Sequence, residues 1–434
     1  MTSAEADRSP VPRARLLLTG DELLRGFVQD ANSVYLAERL RDAGVELDEI
    51  RIVGDDVATI QEGVSRALAG NDVRLVIVCG GLGPTHDDRT SEAVAAVCGR
   101  ALELDAAALE VVEARVRAYG RMRTPEEVAT FTPGNRKQAT LPAGARWVEP
   151  LGTAPGYVVR TDDGGAVVAV LPGPPSELRH AWQGIEATDE YADVLASVGA
   201  RHERLIRVWG VPESRASHAL AATGHTDGRD TRVTICARDG ELEIAVRGSD
   251  PSAVDALVEQ LASGIGVEPF AVDDHRSISA LVAAGLQERG WTLATAESCT
   301  GGMLGGLLTS EPGSSAWYLG GLITYANETK VHLANVAPAT LESDGAVSEA
   351  TARQLARGAA AALGADVGIG ITGVAGPGGG SAEKPVGTVH IAVVSPGGEL
   401  HRKVRIPGDR ATVRRRSCVI ALHELRLSLT ASAR

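Results

Sequence analysis

The sequence predicts an α/β protein in three parts. These are a three-layer domain over residues 13–180, a small α+β domain over 184–272 and a second α/β domain over 277–430. Three observations predict this. Strand-length apolar runs alternate with helical patterns in the first part. A hairpin flanked by helices fills the second. The strand–helix alternation then resumes and holds almost to the end.

In the first part, "ARLLLTG" is a buried-strand run, and Asn32 is placed to cap the helix "SVYLAERLRDAG". "ELDEIRIVGDD" is the next strand, followed by a helix near 57–69 and the strand "VRLVIVCGG". That β-α-β-α-β order implies a parallel sheet with helices on its faces. "AVVAVLPGPPSEL" is a later strand that ends in a Pro/Gly turn before another helix. In the second part, "RLIRVWGVPESRASHALAATG" reads strand, turn, helix. "TRVTICARDGELEIAVRG" is a hairpin turning at Asp239-Gly240. "PSAVDALVEQLASGIG" is a helix that starts at Pro251. The third part opens with the helix "ISALVAAGLQERG", then "WTLATAESCTGG" and the strand "GGLITYA". A helix near 348–363, the strand "DVGIGITG", the loop "VAGPGGGS", the strand "GTVHIAVVS" and a last helix after "IPGDR" follow.

Composition excludes several classes. The 434 residues exceed one ordinary domain, and 44% hydrophobic with 23% charged is that of a soluble globular protein. Aromatics, at 3%, are too scarce for base-stacking platforms. A net charge of −13 opposes binding to nucleic acid or anionic membrane. No apolar run approaches the roughly 20 residues of a membrane span. The N-terminal "MTSAEADRSPVPRAR" lacks the apolar core of a secretory signal and reads as a short disordered arm. Five scattered cysteines form no C-x-x-C pair, so zinc and disulfide frameworks are unsupported and a reducing cytoplasm is expected. Only four of 43 basic residues are lysine: Lys137, Lys330, Lys384 and Lys403. A lysine here is informative, because an amine can lose its proton near neutral pH and a guanidinium cannot.

Candidate chemistry gathers in the third part. "TAESCTGG" places Ser298 and Cys299 before Gly301-Gly302 at a strand-to-helix turn, where free N–H groups bind anions or oxyanions. The alternative is that Ser298 or Thr300 is a plain N-cap and the glycines serve packing. In "ITYANETK", Asn327 is a natural N-cap, which puts Lys330 at the third helical position. There the helix dipole, with burial, would depress its pKa and free the amine as a base. A solvated surface lysine is the alternative. Gly313-Ser314-Ser315 is a second hydroxyl-rich loop, suited to phosphate binding, to nucleophilic attack or to capping. Tyr325 ends a strand within reach of the same pocket or belongs to the core. Gly368-Ile-Gly-Ile-Thr-Gly373 mimics a dinucleotide fingerprint but is rejected, because a loop rather than a helix follows it. Asp409 caps the last helix and Arg410 could grip a phosphate, while Arg414 to Arg416 form a solvated face.

"AESCTGG", "GSSAW", "TYANETK", "GAVSE", "TGVAGPGGG…EKPVGTVHIA" and "PGDR", in this order, resemble the CinA C-terminal family across nearly all of 277–430. Its members deamidate nicotinamide mononucleotide (NMN). The resemblance implies NMN and water giving nicotinate mononucleotide and ammonia, with no cofactor. The implied catalytic set is Ser298, Ser315, Tyr325 and Lys330. Ser315 is favoured as nucleophile and Lys330 as base, with Tyr325 and Ser298 orienting or stabilising. Gly301, Gly302, Ser314, Gly373, Gly376, Gly378 and Arg410 are expected to hold substrate. Cys299 has no histidine partner in these motifs and reads as structural.

"TGDELLRGFVQDANSVYLAERL" and "VCGGLGPTHDDRTSEAV" resemble the molybdopterin-binding-like domain that begins full-length CinA proteins. Gly81 and Gly83 can cradle phosphate, and Asp87, Asp88, Thr85 and Thr90 cap the following helix or bind a divalent metal through hard oxygens. Asp87 and Asp88 are the named metal candidates. Asp21, Glu22, Asn32 and Asp55 add polar groups at other strand ends, where open α/β sheets bind ligands. The resemblance implies a metal-dependent ADP-ribose pyrophosphatase, with pterin binding as the competing analogy. Where the family has Asp-Thr-Asn, this chain has Asp30-Ala31-Asn32 and lacks that hydroxyl. The expected ligands are small nucleotides, without nucleic acid or membrane partners, and the expected assembly is a homodimer. A non-catalytic nucleotide- or pterin-binding regulator is the rival reading.

Overall fold

A computed structural model describes residues 12–70, 72–120, 124–196, 198, 202–226 and 231–431. Residues 1–11 of the expected N-terminal arm lie outside these. The chain divides into two compact units, Met1–Arg201 and His202–Arg434. The middle and C-terminal parts therefore have separate sheets but share one unit.

In the first unit, β1 (Arg13–Thr19), α1 (Asn32–Asp42), β2 (Glu46–Val53), α2 (Val57–Leu68), β3 (Val73–Cys79) and α3 (Thr90–Val97) follow in order. They are joined later by β4 (Arg146–Trp147), β5 (Tyr157–Arg160), β6 (Val167–Leu171) and α4 (Pro175–Glu186). The sheet order is β2-β1-β3-β6-β5-β4. Its first four strands are parallel, and β5 and β4 are antiparallel additions. Alternation along β1 builds three layers. Leu17 joins the core beneath Ile60, Val64 and Val94, whereas Leu16 and Leu18 join Leu36, Leu40 and Trp182 on the other face. Asn32 is not the cap of α1. Asp30 Oδ1 accepts from the N–H groups of Asn32 and Ser33, and Asn32 Nδ2 donates to Gly173 O at 2.8 Å. The helix α4 runs through residue 180, and Trp182 and Tyr191 pack edge to face beyond it.

In the second unit, β7 (His202–Trp209), α5 (Glu213–Ala222), β8 (Thr231–Arg238), β9 (Glu241–Gly248), α6 (Pro251–Ile265) and β10 (Ala271–Val272) form a small sheet of order β8-β9-β7-β10. The hairpin turns at Asp239 and Gly240, whose φ values of 54° and 94° match the twist of its strands. Next come α7 (Ile278–Arg289), β11 (Leu293–Glu297), α8 (Met303–Thr309), β12 (Tyr318–Ile323), α9 (Asn327–Ala334), α10 (Glu349–Leu363), β13 (Val367–Gly373), β14 (Thr388–Ser395), β15 (Gly398–Arg405) and α11 (Arg410–Ala431). The sheet order is β12-β11-β13-β14-β15. β15 was not anticipated. Its "GELHRKVR" is charged and partly exposed, as suits an edge strand paired on one side only. No described helix is long and apolar enough to cross a membrane.

The two faces of this sheet differ. Val367, Ile369 and Ile371 meet α7 and α11 across a bulky core. Gly368 and Gly370 face α10, where an added Cβ would lie 2.0 Å from Ala356 O and 2.2 Å from Ala352 O. The apparent dinucleotide glycines are thus helix-packing glycines. Likewise, a Cβ on Gly358 would stand 1.9 Å from Ala334 O. Gly368→Ala or Gly358→Ala should destabilise the unit by roughly 1–3 kcal/mol or more, because backbone cannot yield as a side chain can. Gly306→Ala, with nothing within 4 Å of the added carbon, should instead stabilise by roughly 0.5–1 kcal/mol. Urea unfolding of the three variants checks both signs.

Candidate active site

The carboxyl ends of β11, β12 and β13 open on a cavity of about 210 Å³. Ser298 and Cys299 enter it from the turn after β11, Tyr325, Asn327 and Lys330 from the segment after β12, and Thr372, Gly373 and Ala375 from the end of β13. Ala346, Val347 and Arg410 complete the wall.

Lys330 is only 2% exposed. Its Nζ donates to Thr324 O at 2.9 Å and Tyr325 O at 3.1 Å. Burial lowers its pKa from the ordinary lysine value, against opposing pulls from Cys299 and Glu328. The surface-lysine alternative is excluded. The predicted cap is shifted by one residue: Ala326 is the N-cap and Asn327 the first helical residue, so Lys330 is the fourth. Burial rather than first-turn placement depresses the amine.

The turn after β11 also differs from expectation. Neither Ser298 nor Thr300 caps α8; Gly302, at φ 90°, is the N-cap residue. The free N–H groups expected there are occupied. Glu297 Oε2 accepts from Gly302 and Leu304 N–H at 3.0 and 3.1 Å, and Oε1 from Gly305 N–H at 2.8 Å. A protein carboxylate therefore fills the place proposed for a substrate oxyanion. Gly301 and Gly302, at φ 60° and 90°, shape this turn. Burial pushes the Cys299 thiol up to about 11, which leaves it unreactive near neutral pH.

Ser315 does not reach the cavity. It lies with Ser314 in a single exposed-edge turn, Ser314–Ala316, that precedes β12. Leu293 pairs with Tyr318 at the start of the strands and Glu297 with Ile323 at their ends. The six residues of β12, at roughly 3.3 Å each, therefore separate Ser315 from the Thr324–Lys330 segment. Its nearness to Lys330 in sequence does not become nearness in space.

Arg410 Nη1 donates to Gly376 O at 2.8 Å and Nη2 to Tyr325 Oη at 3.0 Å. The arginine thus clips the glycine-rich loop to the tyrosine. Gly376 and Gly373 serve close packing, since their added carbons would meet Val386 Cγ1 at 2.6 Å and Thr388 O at 2.8 Å. Gly378 is exposed and outside the cavity wall. Tyr325 lies two residues beyond the end of β12 and is 61% exposed.

In the first unit, a cleft of about 490 Å³ lies at the carboxyl ends of β1 and β3. Glu22, Asn32, Asp55, Gly81, Gly83, Asp87 and Asp88 line it, while Asp21, Thr85 and Thr90 stand behind. Asp21 N–H donates to Asp55 Oδ2 at 3.0 Å. Thr90 is buried and its Oγ1 donates to Gly80 O at 2.8 Å. The space beside Gly81 and Gly83 is filled by Thr90 and Asp88, 2.3 and 2.4 Å from added carbons. Asp88 Oδ2 accepts from Thr85 N–H at 2.9 Å, and Thr85 Oγ1 donates to both Asp87 and Asp88. Each acid thus gives one oxygen to its own turn. Among the described residues, no three His, Cys, Asp or Glu side chains assemble to hold a metal ion. Burial raises the pKa of Asp55, helped by Glu22, Asp21 and Asp87, and burial raises that of Glu177 on the same wall.

Residues 275–429 match the family model described as "CinA C-terminal domain", and 15–190 the "Probable molybdopterin binding domain". A "CinA-like protein" of Mycobacterium marinum is 42% identical over 426 residues, covering 96% of this chain and 99% of that protein. Another, of Mycolicibacterium vanbaalenii, is 44% identical over 429 residues with coverage of 96% and 99%. The chain belongs to the CinA family. A crystal structure of competence/damage inducible protein CihA from Agrobacterium tumefaciens is 40% identical, covers 35% of this chain and 93% of that one, and has a TM-score of 0.34.

Within this CinA-family chain, sequence reasoning missed Asn327 and Thr372 at the cavity, Glu297 in the turn beside it, and Asp30 and Glu177 at the cleft. Glu297 had a signal: an acid four residues before a Gly-Gly turn into a helix suits the positive end of the dipole. Thr372 and Glu177 had none, because only the fold brings them to their sites.

A pH test follows from Lys330. Its folded pKa lies below its unfolded value of about 10.4. Between the two, the unfolded chain holds the extra proton, so stability rises with pH. Urea midpoints of wild type and Lys330→Met should therefore converge, or shift in favour of the wild type, as pH rises from about 7 to about 10. A constant difference would contradict a lysine pKa lowered by burial.

Proposed function

We propose that the C-terminal cavity hydrolyses the carboxamide of NMN to nicotinate mononucleotide and ammonia. The observation that carries this reading is a buried lysine amine lining the same small cavity as Ser298. A neutral amine has two hydrogens. Two carbonyls already take them, which leaves the lone pair to accept a proton. Amide hydrolysis needs such a base beside a hydroxyl nucleophile, a lysine variant of triad logic.

Ser298 replaces Ser315 as the nucleophile in this proposal. Ser298 Oγ forms a bond to the carboxamide carbon while its proton passes to Lys330 Nζ. The tetrahedral adduct then breaks its C–N bond, and the proton leaves with nitrogen as ammonia. Water, deprotonated by the same amine, releases nicotinate mononucleotide and restores the serine. Tyr325, Asn327 and Arg410 supply side-chain donors for the developing oxyanion, because the α8 N–H groups are bound to Glu297. The cavity volume of about 210 Å³ is below the roughly 300 Å³ of sites that enclose a whole ligand. It takes the pyridinium carboxamide, with the ribose phosphate extending past Arg410.

Ammonia release from NMN by the purified full chain tests the reading. Lys330→Met and Ser298→Ala should each lower kcat by about 10²–10⁴-fold, whereas Ser315→Ala should leave it near wild type. The rate should rise with pH through the lowered lysine pKa and then level, since only the unprotonated amine accepts a proton. No ammonia from the wild type would leave the non-catalytic nucleotide-binding reading in its place. Loss of activity in Ser315→Ala would return the nucleophile to that loop.

A further inference from the structure

Glu297 is 1% exposed and holds two separate pieces of the cavity. Its carboxylate gathers three N–H groups of the Gly302–Gly305 turn, which fixes the path of the chain leaving Ser298. Its main-chain carbonyl accepts from Thr324 N–H at 2.8 Å and from Thr324 Oγ1 at 3.3 Å. Thr324 is fully buried, and its own carbonyl is the nearer acceptor of Lys330 Nζ. One continuous chain of hydrogen bonds therefore runs from the serine turn through Glu297 and Thr324 to the amine.

We infer that Glu297 is a positioning residue that sets the placement of Ser298 relative to Lys330, joining the two halves of the cavity through its carboxylate and its carbonyl. This rests on the deamidase reading for its catalytic consequence, though not for its structural one. The carboxylate faces the turn and is not among the residues lining the cavity, so it holds the turn rather than meeting substrate. A glutamine would turn one acceptor into a donor facing an N–H, and the turn would have to move. Releasing the turn loosens the pairing of Glu297 with Thr324 and opens the lysine to water. The other ionisable groups that act on Lys330 are Cys299 and Glu328, and neither is altered by the substitution.

The test uses the full chain with NMN as substrate, together with lysine carrying 13C at Cε. The chain has only four lysines, so Lys330 is assigned by comparison with Lys330→Met. In folded Glu297→Gln, kcat should fall by about tenfold to 10²-fold, as expected of a misplacement near 1 Å, with KM little changed. The midpoint of the pH–rate profile and the Cε titration of Lys330 should both move up toward the ordinary lysine value. The other three lysines should not move. If Glu297→Gln does not fold, Thr324→Val, which loses only the hydroxyl bond to Glu297 O, should shift the same titration, and Thr324→Ser should restore it. A Lys330 titration identical to wild type in the folded variant overturns the proposal, even if kcat falls. Absence of ammonia from the wild type removes the deamidase reading, while the titration still decides the role of Glu297.

Discussion

The amine of Lys330 is almost wholly removed from water, and a buried ammonium without partners would cost more than a domain's spare stability. Two outcomes are open to such a group: it is hydrogen-bonded, or it gives up its proton. Here it does the first and is pushed toward the second. Both acceptors are main-chain carbonyls of the two residues that leave β12. The lysine can use them only if α9 returns over the strand end at this angle. The exit of β12, the start of α9 and the position of the amine are therefore one arrangement rather than three.

That arrangement needs a second helix close by, and the small-residue face of the sheet provides it. The contacts of α10 with Gly368, Gly370 and, through Gly358, with Ala334 at the end of α9 leave no room for a single added carbon. Alanines fill the remainder of this face. Close approach substitutes for bulk, because dispersion contacts accumulate where backbones touch. It also fixes the 345–348 segment, where Ser348 caps α10 and Thr372 Oγ1 donates to Ala346 O at 2.6 Å. The floor of the cavity is thus backbone-rigid, while its reactive groups are side chains.

Much of this was legible in sequence. The strands, the I′-type hairpin at Asp239-Gly240, the Pro251 helix start and the Ser348 and Asp409 helix starts all carry local signals. The lysine was legible because the chain is so poor in that residue. What sequence could not supply was distance across the sheet. Ser315 and Lys330 are fifteen positions apart, but a strand runs between them. Ser298 and Lys330 are farther apart in sequence, yet parallel neighbours deliver both to the same end. The glycines of "CGGLG" read as a phosphate cradle, and the space beside Gly80, Gly81 and Gly83 is taken by protein atoms. A glycine reports close approach without naming what approaches.

The two sites also answer differently to a chain carrying −13. At the C-terminal cavity, Arg410 is the permanent cation, and Lys330 favours neutrality. In the proposed reading a phosphate would meet that guanidinium, while the cationic pyridinium of NMN would meet an amine that burial pushes toward neutrality. The N-terminal cleft is larger and is walled by Glu22, Asp30, Asp55, Asp87, Asp88 and Glu177, with no lysine or arginine among its described lining residues, while Lys137 Nζ donates to Thr85 O beside it. A bare diphosphate entering it would face these carboxylates, some of which, after burial, help to raise the pKa of Asp55. The ligand class that fits such a wall is neutral or cationic, or an anion that arrives with its own counter-charge. Similar topology at the carboxyl ends of two sheets has thus produced two clefts with opposite electrostatic demands, and shared fold alone does not carry function from one to the other.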